Sequence, residues 1–183
     1  AKQKSTEVRK SAFTETNKLG GFIKRISAQE NKIRFLRYRF QWNYLPRFHV
    51  VSKFPTHVDI ETTNKCNLRC VMCPHGFPTP DFKKGLGSMD VDLAEKIIDE
   101  GCRKGLSSIK INWRGEPLLW KEHVPQIIKY AKERGIIDVI MNTNGLQLDH
   151  NLSYEIVKSG LDQIIFSIDG NSTETYSAIR RGG

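Results

Sequence analysis

The sequence predicts an α/β protein built on a parallel sheet, and two features of its second half lead to that prediction. Short segments of strand-like composition alternate with longer segments whose apolar residues recur at helical spacing. Helix-capping residues or glycines stand at most of the boundaries between these segments. Alternating strands and helices form parallel sheets, because each right-handed crossover returns the chain to the same end of the sheet.

Four strands are predicted in this half, and each is short and largely apolar. They cover residues 56–61, 108–112, 138–142 and 163–168. The fourth is nearly all apolar, which is typical of a parallel strand buried on both faces. The strand-to-helix loops of such a sheet meet at one edge, and that edge is where function gathers in folds of this kind.

Helices are predicted between the strands, and local signals mark where they begin. Asp90 and Asp149 are placed to cap the first and third of them, and Pro125 suits the first turn of the second. Asn171 and Glu174 have the spacing of a capping box for a fourth helix near the end of the chain. The glycines that close the first three helices are Gly105, Gly135 and Gly160.

The segment that precedes the sheet is basic. Residues 1–20 are polar and without period, which predicts a flexible segment. Residues 21–55 predict one amphipathic helix running from Phe22 to Phe40, followed by an irregular connector. The apolar positions of that helix are Phe22, Ile26, Ile33, Leu36 and Phe40.

The positive charge of the chain belongs to this N-terminal arm. Residues 1–55 hold 13 Lys and Arg against 3 Asp and Glu, whereas residues 56–183 hold 16 against 17. We favour a helix that packs on the domain and exposes a solvated basic side. Contact with nucleic acid or acidic lipid is the alternative that this charge leaves open.

Three of the four cysteines follow the first strand. Cys66, Cys70 and Cys73 have the spacing Cys-x3-Cys-x2-Cys, and Asn64 and Pro74 prevent the strand from continuing through them. Soft thiolates gathered in one loop favour zinc or an iron–sulfur centre. Both kinds of centre usually take four protein ligands, so three thiolates leave one metal position for another molecule.

Polar motifs follow the other three strands at the same edge. Residues 113–117 combine Gly115, which lets backbone segments come close, with the acidic Glu116. Asn144 precedes a glycine, and Ser167 and Asp169 share one face of the chain by strand alternation. Each motif alone is explained by a turn or a helix cap. Their occurrence after successive strands indicates one site.

These motifs resemble those of the radical S-adenosylmethionine (radical SAM) superfamily. The cysteine spacing resembles the family's cluster loop, and residues 113–117 are similar to its Gly-Gly-Glu-Pro motif, with Arg114 at the first glycine position. Residues 142–145 are similar to its Thr-Asn-Gly motif. The resemblance covers residues 56–183 and is closest to the SPASM-bearing, peptide-modifying branch. It implies a partial (β/α)6 TIM-like barrel, of which about four βα units are present, truncated before its last strands.

The resemblance also implies a cofactor site. Cys66, Cys70 and Cys73 would hold a [4Fe-4S] cluster whose fourth iron binds S-adenosylmethionine. Arg180 or Arg181 would pair with the carboxylate of that cofactor. The cofactor-binding residues implied by the resemblance are Gly115, Glu116, Asn144, Ser167, Asp169 and Arg180. No catalytic residue is assigned beyond the cluster ligands.

The implied activity is radical chemistry. A one-electron reductant such as flavodoxin or ferredoxin would reduce the cluster, and cleavage of S-adenosylmethionine would give a 5′-deoxyadenosyl radical that abstracts hydrogen from a substrate. A peptide or protein is the first expectation for that substrate and a small metabolite the second. A half barrel shields a radical poorly, so we expect the isolated fragment to be inactive on substrate. The alternative is a non-catalytic zinc or iron–sulfur module whose basic arm binds nucleic acid.

The last sequence predictions concern three single residues, the cellular compartment and the completeness of the chain. Cys102 lies at helical spacing from Ile98 and is interpreted as core. His75 is interpreted as a polar loop residue beside the cluster, and Met72 stands where the family often has an aromatic residue near adenine. Clustered free thiols predict a reducing compartment, the cytoplasm, and no apolar run is long enough to span a membrane. Because the sequence begins without Met, we expect a fragment of a longer protein.

Overall fold

The computed structural model describes residues 18–29 and 31–183. The segment 1–20, predicted to be flexible, therefore lies almost entirely outside the described residues. Four strands are present: β1 His57–Ile60, β2 Ser108–Ile111, β3 Asp138–Thr143 and β4 Gln163–Phe166. They form one parallel sheet in the order β1-β2-β3-β4, which confirms the predicted α/β class.

Seven helices accompany the sheet within the described ranges. They are α1 Lys18–Ala28, α2 Lys32–Tyr44, α3 Pro80–Lys84, α4 Val91–Arg103, α5 Val124–Glu133, α6 His150–Lys158 and α7 Thr173–Ile179. Of these, the short α3 was not expected from the sequence. No helix in the part of the chain that the structure describes combines the length and apolar character needed to cross a bilayer.

The register of the sheet aligns the strand ends. His57 pairs with Ser108, and Ser108 pairs with Asp138, so the first three strands begin at one edge. Their loops to the following helices consequently leave from the opposite edge, as parallel topology requires. The cysteine loop and the loops after β2, β3 and β4 all lie at this C-terminal edge of the sheet.

The main core lies between the two central strands and the helices that connect them. Ile109, Ile111, Val139 and Met141 of β2 and β3 are fully buried. Residues at helical spacing on α4, α5 and α6 pack against the same cluster and include Ala94, Ile98, Ile127, Ala131 and Ile156. The apolar periods predicted these helix faces, and Asp90 and Asp149 cap α4 and α6 as predicted.

The N-terminal arm forms two helices, so the prediction of one helix from Phe22 to Phe40 is wrong. The break falls between Ala28 and Lys32. Asn31 caps α2, because its side-chain oxygen accepts a hydrogen bond from the Arg34 backbone N–H at 3.0 Å. The periodicity continued across the break and concealed it.

Two further predictions fail at the end of the described chain. The fourth strand is not buried on both faces, because β4 lies at the edge of the sheet and exposes Ile165 and Phe166. The predicted capping box on Asn171 is also wrong. Ser172 caps α7 instead, and its hydroxyl accepts from the Thr175 backbone N–H at 3.2 Å.

Candidate metal and cofactor site

The cysteine loop is held in place by the segment that precedes α4. The Asn64 amide group donates to the Gly85 carbonyl at 2.8 Å, and its oxygen accepts from the Gly87 N–H at 2.7 Å. The Thr63 hydroxyl donates to the Gly87 carbonyl at 2.8 Å. The chain therefore enters the loop at Lys65 from a fixed position, with the three thiols following within eight residues.

All three thiols of the loop are free. Cys70 is buried, while Cys66 and Cys73 are half-buried. Burial raises the pKa of the Cys66 thiol, and the nearby Glu116 carboxylate and the other two cysteines raise it further. The thiol of Cys66 also accepts a hydrogen bond from the Leu68 backbone N–H at 3.4 Å. These effects place the three sulfurs in one electrostatic environment at the strand edge.

The three thiols are a donor set that suits an iron–sulfur cluster. Among residues 18–29 and 31–183, no three His, Cys, Asp or Glu side chains converge closely enough to ligate one ion. Zinc would hold its thiolates about 2.3 Å from one centre. A [4Fe-4S] cluster instead takes each cysteine on a separate iron, which spreads the thiolates over a larger volume. Three free thiols in one loop can ligate three of the four irons of such a cluster.

His75 follows the third cysteine in the loop, as the sequence indicates, and its side chain is buried. It is 2% exposed, and its ring packs edge-on against Phe82 with 5.0 Å between centroids. Burial and the nearby Arg69 cation lower the pKa of this imidazole. Nε2 of His75 is buried and has no hydrogen-bond partner among the described residues. Met72, by contrast, is exposed.

Glu116 joins the loops that follow β2 and β3. Its carboxylate is buried, and one oxygen accepts from the Thr143 hydroxyl at 2.5 Å and from the Leu118 N–H at 3.1 Å. The other oxygen accepts from the Asn144 N–H at 2.8 Å. The Glu116 N–H also donates to the Lys65 carbonyl at 2.8 Å. The carboxylate thus has protein donors of its own, and direct contact with a cofactor amine stays a prediction for it.

Gly115 brings the β1 and β2 loops into backbone contact. A Cβ atom at this position would lie 1.8 Å from the Thr63 carbonyl oxygen and 2.8 Å from Asn64 Cα. Only glycine permits this approach. Two residues earlier, Trp113 has a φ of 138°, a strained conformation for a residue with a side chain. The residues 113–117 that the sequence identified therefore form a tight bend against the cysteine loop.

Asn144 links the third loop to the cysteines. Its side-chain nitrogen donates to the Asn67 side-chain oxygen at 2.9 Å, and Asn67 follows Cys66 directly. The Asn144 oxygen accepts from the Leu146 N–H at 3.0 Å, which fixes the orientation of the amide group. Asn67 and Thr143 are thus functional neighbours that the sequence analysis did not single out. The sequence could have indicated both residues, because each is a polar residue within one of the motifs.

The end of the described chain returns to the cysteine loop. The Arg69 and Val71 N–H groups donate to the Arg181 and Ile179 carbonyls at 2.7 and 3.0 Å. This pairing brings the Arg180 guanidinium to 3.9 Å from the Cys70 sulfur. The sequence left the choice between Arg180 and Arg181 open, and the structure places the Arg180 side chain at the cluster loop.

Arg180 also connects the cysteine loop to the loop after β4. Its Nε and one Nη each lie 2.7 Å from an oxygen of Asp169. The Ser167 N–H donates to the Thr143 carbonyl at 2.8 Å, which continues the β3–β4 pairing by one residue. Five of the six predicted cofactor residues and the three predicted ligands therefore lie in the four loops that follow the strands, and Arg180 reaches them from the end of α7. Cys102 lies apart, on α4 against the main core, as predicted.

The chain combines an open parallel sheet with three free thiols and several loop amide groups at the C-terminal edge of that sheet. This combination is typical of β/α barrel proteins that bind a metal cluster. The chain belongs to the Radical SAM superfamily, whose profile matches residues 60–183. Members of this superfamily bind a [4Fe-4S] cluster and S-adenosylmethionine, which are the two cofactors that the sequence predicted.

Curated relatives agree with this assignment. The chain is 33% identical over 129 residues to the GTP 3′,8-cyclase of Heliobacterium modesticaldum, covering 69% of this chain and 38% of that protein. It is 35% identical over 128 residues to the GTP 3′,8-cyclase of Limosilactobacillus fermentum, covering 69% and 37%. The chain therefore spans less than two fifths of the length of these relatives.

Solved structures share the fold. BtrN in complex with AdoMet and 2-DOIA superposes with a TM-score of 0.57 at 20% identity, covering 70% of this chain and 52% of that one. SuiB of Streptococcus suis bound to the precursor peptide SuiA gives a TM-score of 0.58 at 17% identity, covering 88% and 38%. The superfamily prediction is confirmed, while assignment to the SPASM-bearing, peptide-modifying branch stays a prediction.

Proposed function

We propose that this chain forms the cofactor-binding half of a radical SAM enzyme. Cys66, Cys70 and Cys73 hold the [4Fe-4S] cluster in this proposal. When bound, the reduced cluster and S-adenosylmethionine together supply the 5′-deoxyadenosyl radical that abstracts hydrogen from the substrate. The observation that carries the proposal is the contact of three separate segments with the cysteine loop and the residues that lead into it, at Gly115, Asn144 and Arg180.

The chain's own residues would bind and orient the nucleotide cofactor. The bend at Gly115 packs against the segment that enters the cysteine loop, and backbone carbonyls of such a bend are suitable acceptors for the cationic amine of the cofactor. Glu116 keeps that bend joined to Asn144, so it acts by positioning the loop. Asn144 and Ser167 offer short polar groups at the same edge, suited to hydroxyl groups of a ribose. Arg180 supplies the cation for a carboxylate, with Asp169 holding its guanidinium.

The identity of the substrate has to be determined by assay, and three classes of substrate are candidates. The relatives named GTP 3′,8-cyclase make a purine nucleotide one candidate. A peptide or protein side chain and a small metabolite are the other two. An electron donor of the flavodoxin or ferredoxin type is required in each case. We place the enzyme in the cytoplasm, because three free thiols beside an iron–sulfur cluster need a reducing compartment.

Replacing one cluster ligand should remove the cluster. We expect Cys70→Ala, after anaerobic reconstitution, to lose the brown colour and to retain iron and sulfide near background. The matched control is Cys102→Ala, because Cys102 lies on α4 and packs against the main core. The measurement is visible absorbance together with iron and sulfide analysis, with circular dichroism to verify that both variants fold.

Formation of 5′-deoxyadenosine from S-adenosylmethionine by the reduced, full-length enzyme tests the activity itself. Candidate nucleotides, peptides and metabolites are added in turn, and products are followed by mass spectrometry. A colourless zinc-loaded protein that binds no S-adenosylmethionine would contradict the proposal and favour a non-catalytic module. Retention of a full cluster by Cys70→Ala would contradict the ligand assignment.

Arg180 and Arg181 form a second matched pair. We expect Arg180→Gln to weaken S-adenosylmethionine binding by about tenfold or more, because a charge-assisted hydrogen bond to the cofactor carboxylate is lost. Arg181→Gln should change the affinity less than about twofold, because only the backbone carbonyl of Arg181 bonds the cysteine loop. Equilibrium binding to the reconstituted protein provides the measurement. Equal effects of the two substitutions would rule out the assigned role of Arg180.

A further inference from the structure

Helix α2 carries apolar side chains on two opposite faces. One face supplies Phe35 and Tyr38 to a small core with Ile137, and both side chains are almost completely buried. At 100° per residue, Ile33 and Phe40 project from the other side of the helix. Ile33 is 80% exposed and Phe40 is 58% exposed. Among residues 18–29 and 31–183, the domain therefore covers only one of the two apolar faces.

The exposed face forms a continuous ridge, which we call the α2 ridge. It comprises Ile33, Leu36, Phe40 and Tyr44, at successive spacings of three and four residues, and all four are exposed. The Phe40 and Tyr44 rings stack with 4.9 Å between centroids. Seven residues beyond the end of the helix, Val51 is 92% exposed. Apolar side chains at this density indicate an interaction surface.

The sequence around the ridge is positively charged, and no acidic residue in this segment neutralises the charge. Residues 31–58 contain six Lys and Arg and no Asp or Glu. Arg37 on α2 is exposed, and the Arg47 guanidinium lies 5.4 Å from the centroid of the Tyr44 ring. A partner for this surface must therefore combine negative charge with an apolar interior.

We propose that the α2 ridge lies on an anionic lipid surface. A basic amphipathic helix can rest in the plane of a membrane, with its apolar side chains below the headgroups and its cations among the lipid phosphates. A nucleic acid would satisfy the cations and the aromatic rings, but it offers nothing to Ile33 and Val51. A second copy of the chain would bring two uncompensated positive faces together.

The position of α2 is consistent with an accessible cofactor site. The Trp42 and His57 rings are 4.9 Å apart, and His57 is the first residue of β1. Arg34 donates to the Gly135 carbonyl just before β3 at 3.2 Å. The helix thus covers the N-terminal edge of the sheet, whereas the cysteines lie at the C-terminal edge. A membrane beneath the ridge would leave the cluster loop facing away from it.

Vesicle binding tests the proposal with the full chain loaded with its cluster. Vesicles of phosphatidylcholine alone are compared with vesicles in which about a quarter of the lipid is phosphatidylserine. We expect the anionic vesicles to bind at least about tenfold better, and high salt to reduce that binding. We expect Phe40→Ser to weaken the partitioning by about tenfold, because one aromatic side chain no longer leaves water.

The matched control is Val157→Ser on α6, where the valine is 76% exposed and distant in sequence from the ridge. Unchanged binding by this variant, with loss in Phe40→Ser and an unaltered circular dichroism spectrum in both, supports the proposal. Absence of vesicle binding, equal binding to both lipid compositions, or equal loss in the two variants overturns it. Binding to duplex nucleic acid without vesicle binding also overturns it.

Discussion

Gly115→Ala is expected to destabilise the protein and to disrupt cofactor binding, although it adds a single methyl group. That methyl carbon would lie 1.8 Å from the Thr63 carbonyl oxygen and 2.6 Å from its carbon, both in the backbone of the neighbouring loop. Backbone atoms cannot rotate away as a flexible side chain can. The β1 and β2 loops must therefore separate, which breaks the hydrogen bond from Glu116 N–H to the Lys65 carbonyl.

We expect a loss of about 3 kcal/mol in unfolding free energy, at the upper end of overpacking effects. Cluster content should fall with it, because Lys65 directly precedes the first cysteine. Chemical denaturation and iron analysis measure the two effects. The control is Gly87→Ala on the same edge, where an added Cβ has no heavy atom within 4 Å. Parental stability and cluster content in Gly115→Ala would show that the loops are not in contact.

The second large effect concerns the ion pair that anchors the N-terminal helix. Asp138 is fully buried at the start of β3, and one Nη of Arg25 lies 2.7 and 2.6 Å from its two carboxylate oxygens. The Arg25 side chain is 28% exposed, so the two partners differ in their access to water. Removal of Arg25 leaves a buried charge without its counter-ion, which costs about 3–5 kcal/mol.

We therefore expect Arg25→Met to lower the unfolding free energy by about that amount, measured by urea denaturation. Arg25→Met combined with Asp138→Asn should recover much of the loss, because the uncompensated charge is then absent. The control is Lys24→Met, since Lys24 is exposed on the same helix and has no ion pair within the described ranges. If Arg25→Met is as stable as Lys24→Met, α1 does not contribute to the fold through this pair.

The N-terminal arm and the candidate site are attached to opposite edges of the same sheet. Asp138 and Thr143 are the two ends of β3. The first anchors α1 through Arg25, and the second donates to Glu116 at the cofactor edge. Placement of β3 therefore fixes both the N-terminal helices and the loop that carries the site.

Local sequence signals predicted most of the elements correctly, because they depend on neighbouring residues. Asp90 and Asp149 cap their helices through bonds to residues two and three positions away. The prediction of a single N-terminal helix failed, since the apolar spacing continued across the break at Asn31 and hid it. The burial of β4 was also overestimated, because composition does not reveal whether a strand lies in the centre or at the edge of a sheet.

The sequence by itself determined the alternation of strands and helices and the gathering of three thiols in one loop, because helical and strand periods, capping residues and cysteine spacing are encoded within short stretches. Only the tertiary structure decided which arginine reaches the cysteine loop, where Glu116 directs its carboxylate and what Arg25 neutralises. Arg180 and Cys70 are 110 residues apart, and Arg25 and Asp138 are 113 residues apart. Such pairs form when strand register closes long loops, and no local pattern specifies which two side chains then meet.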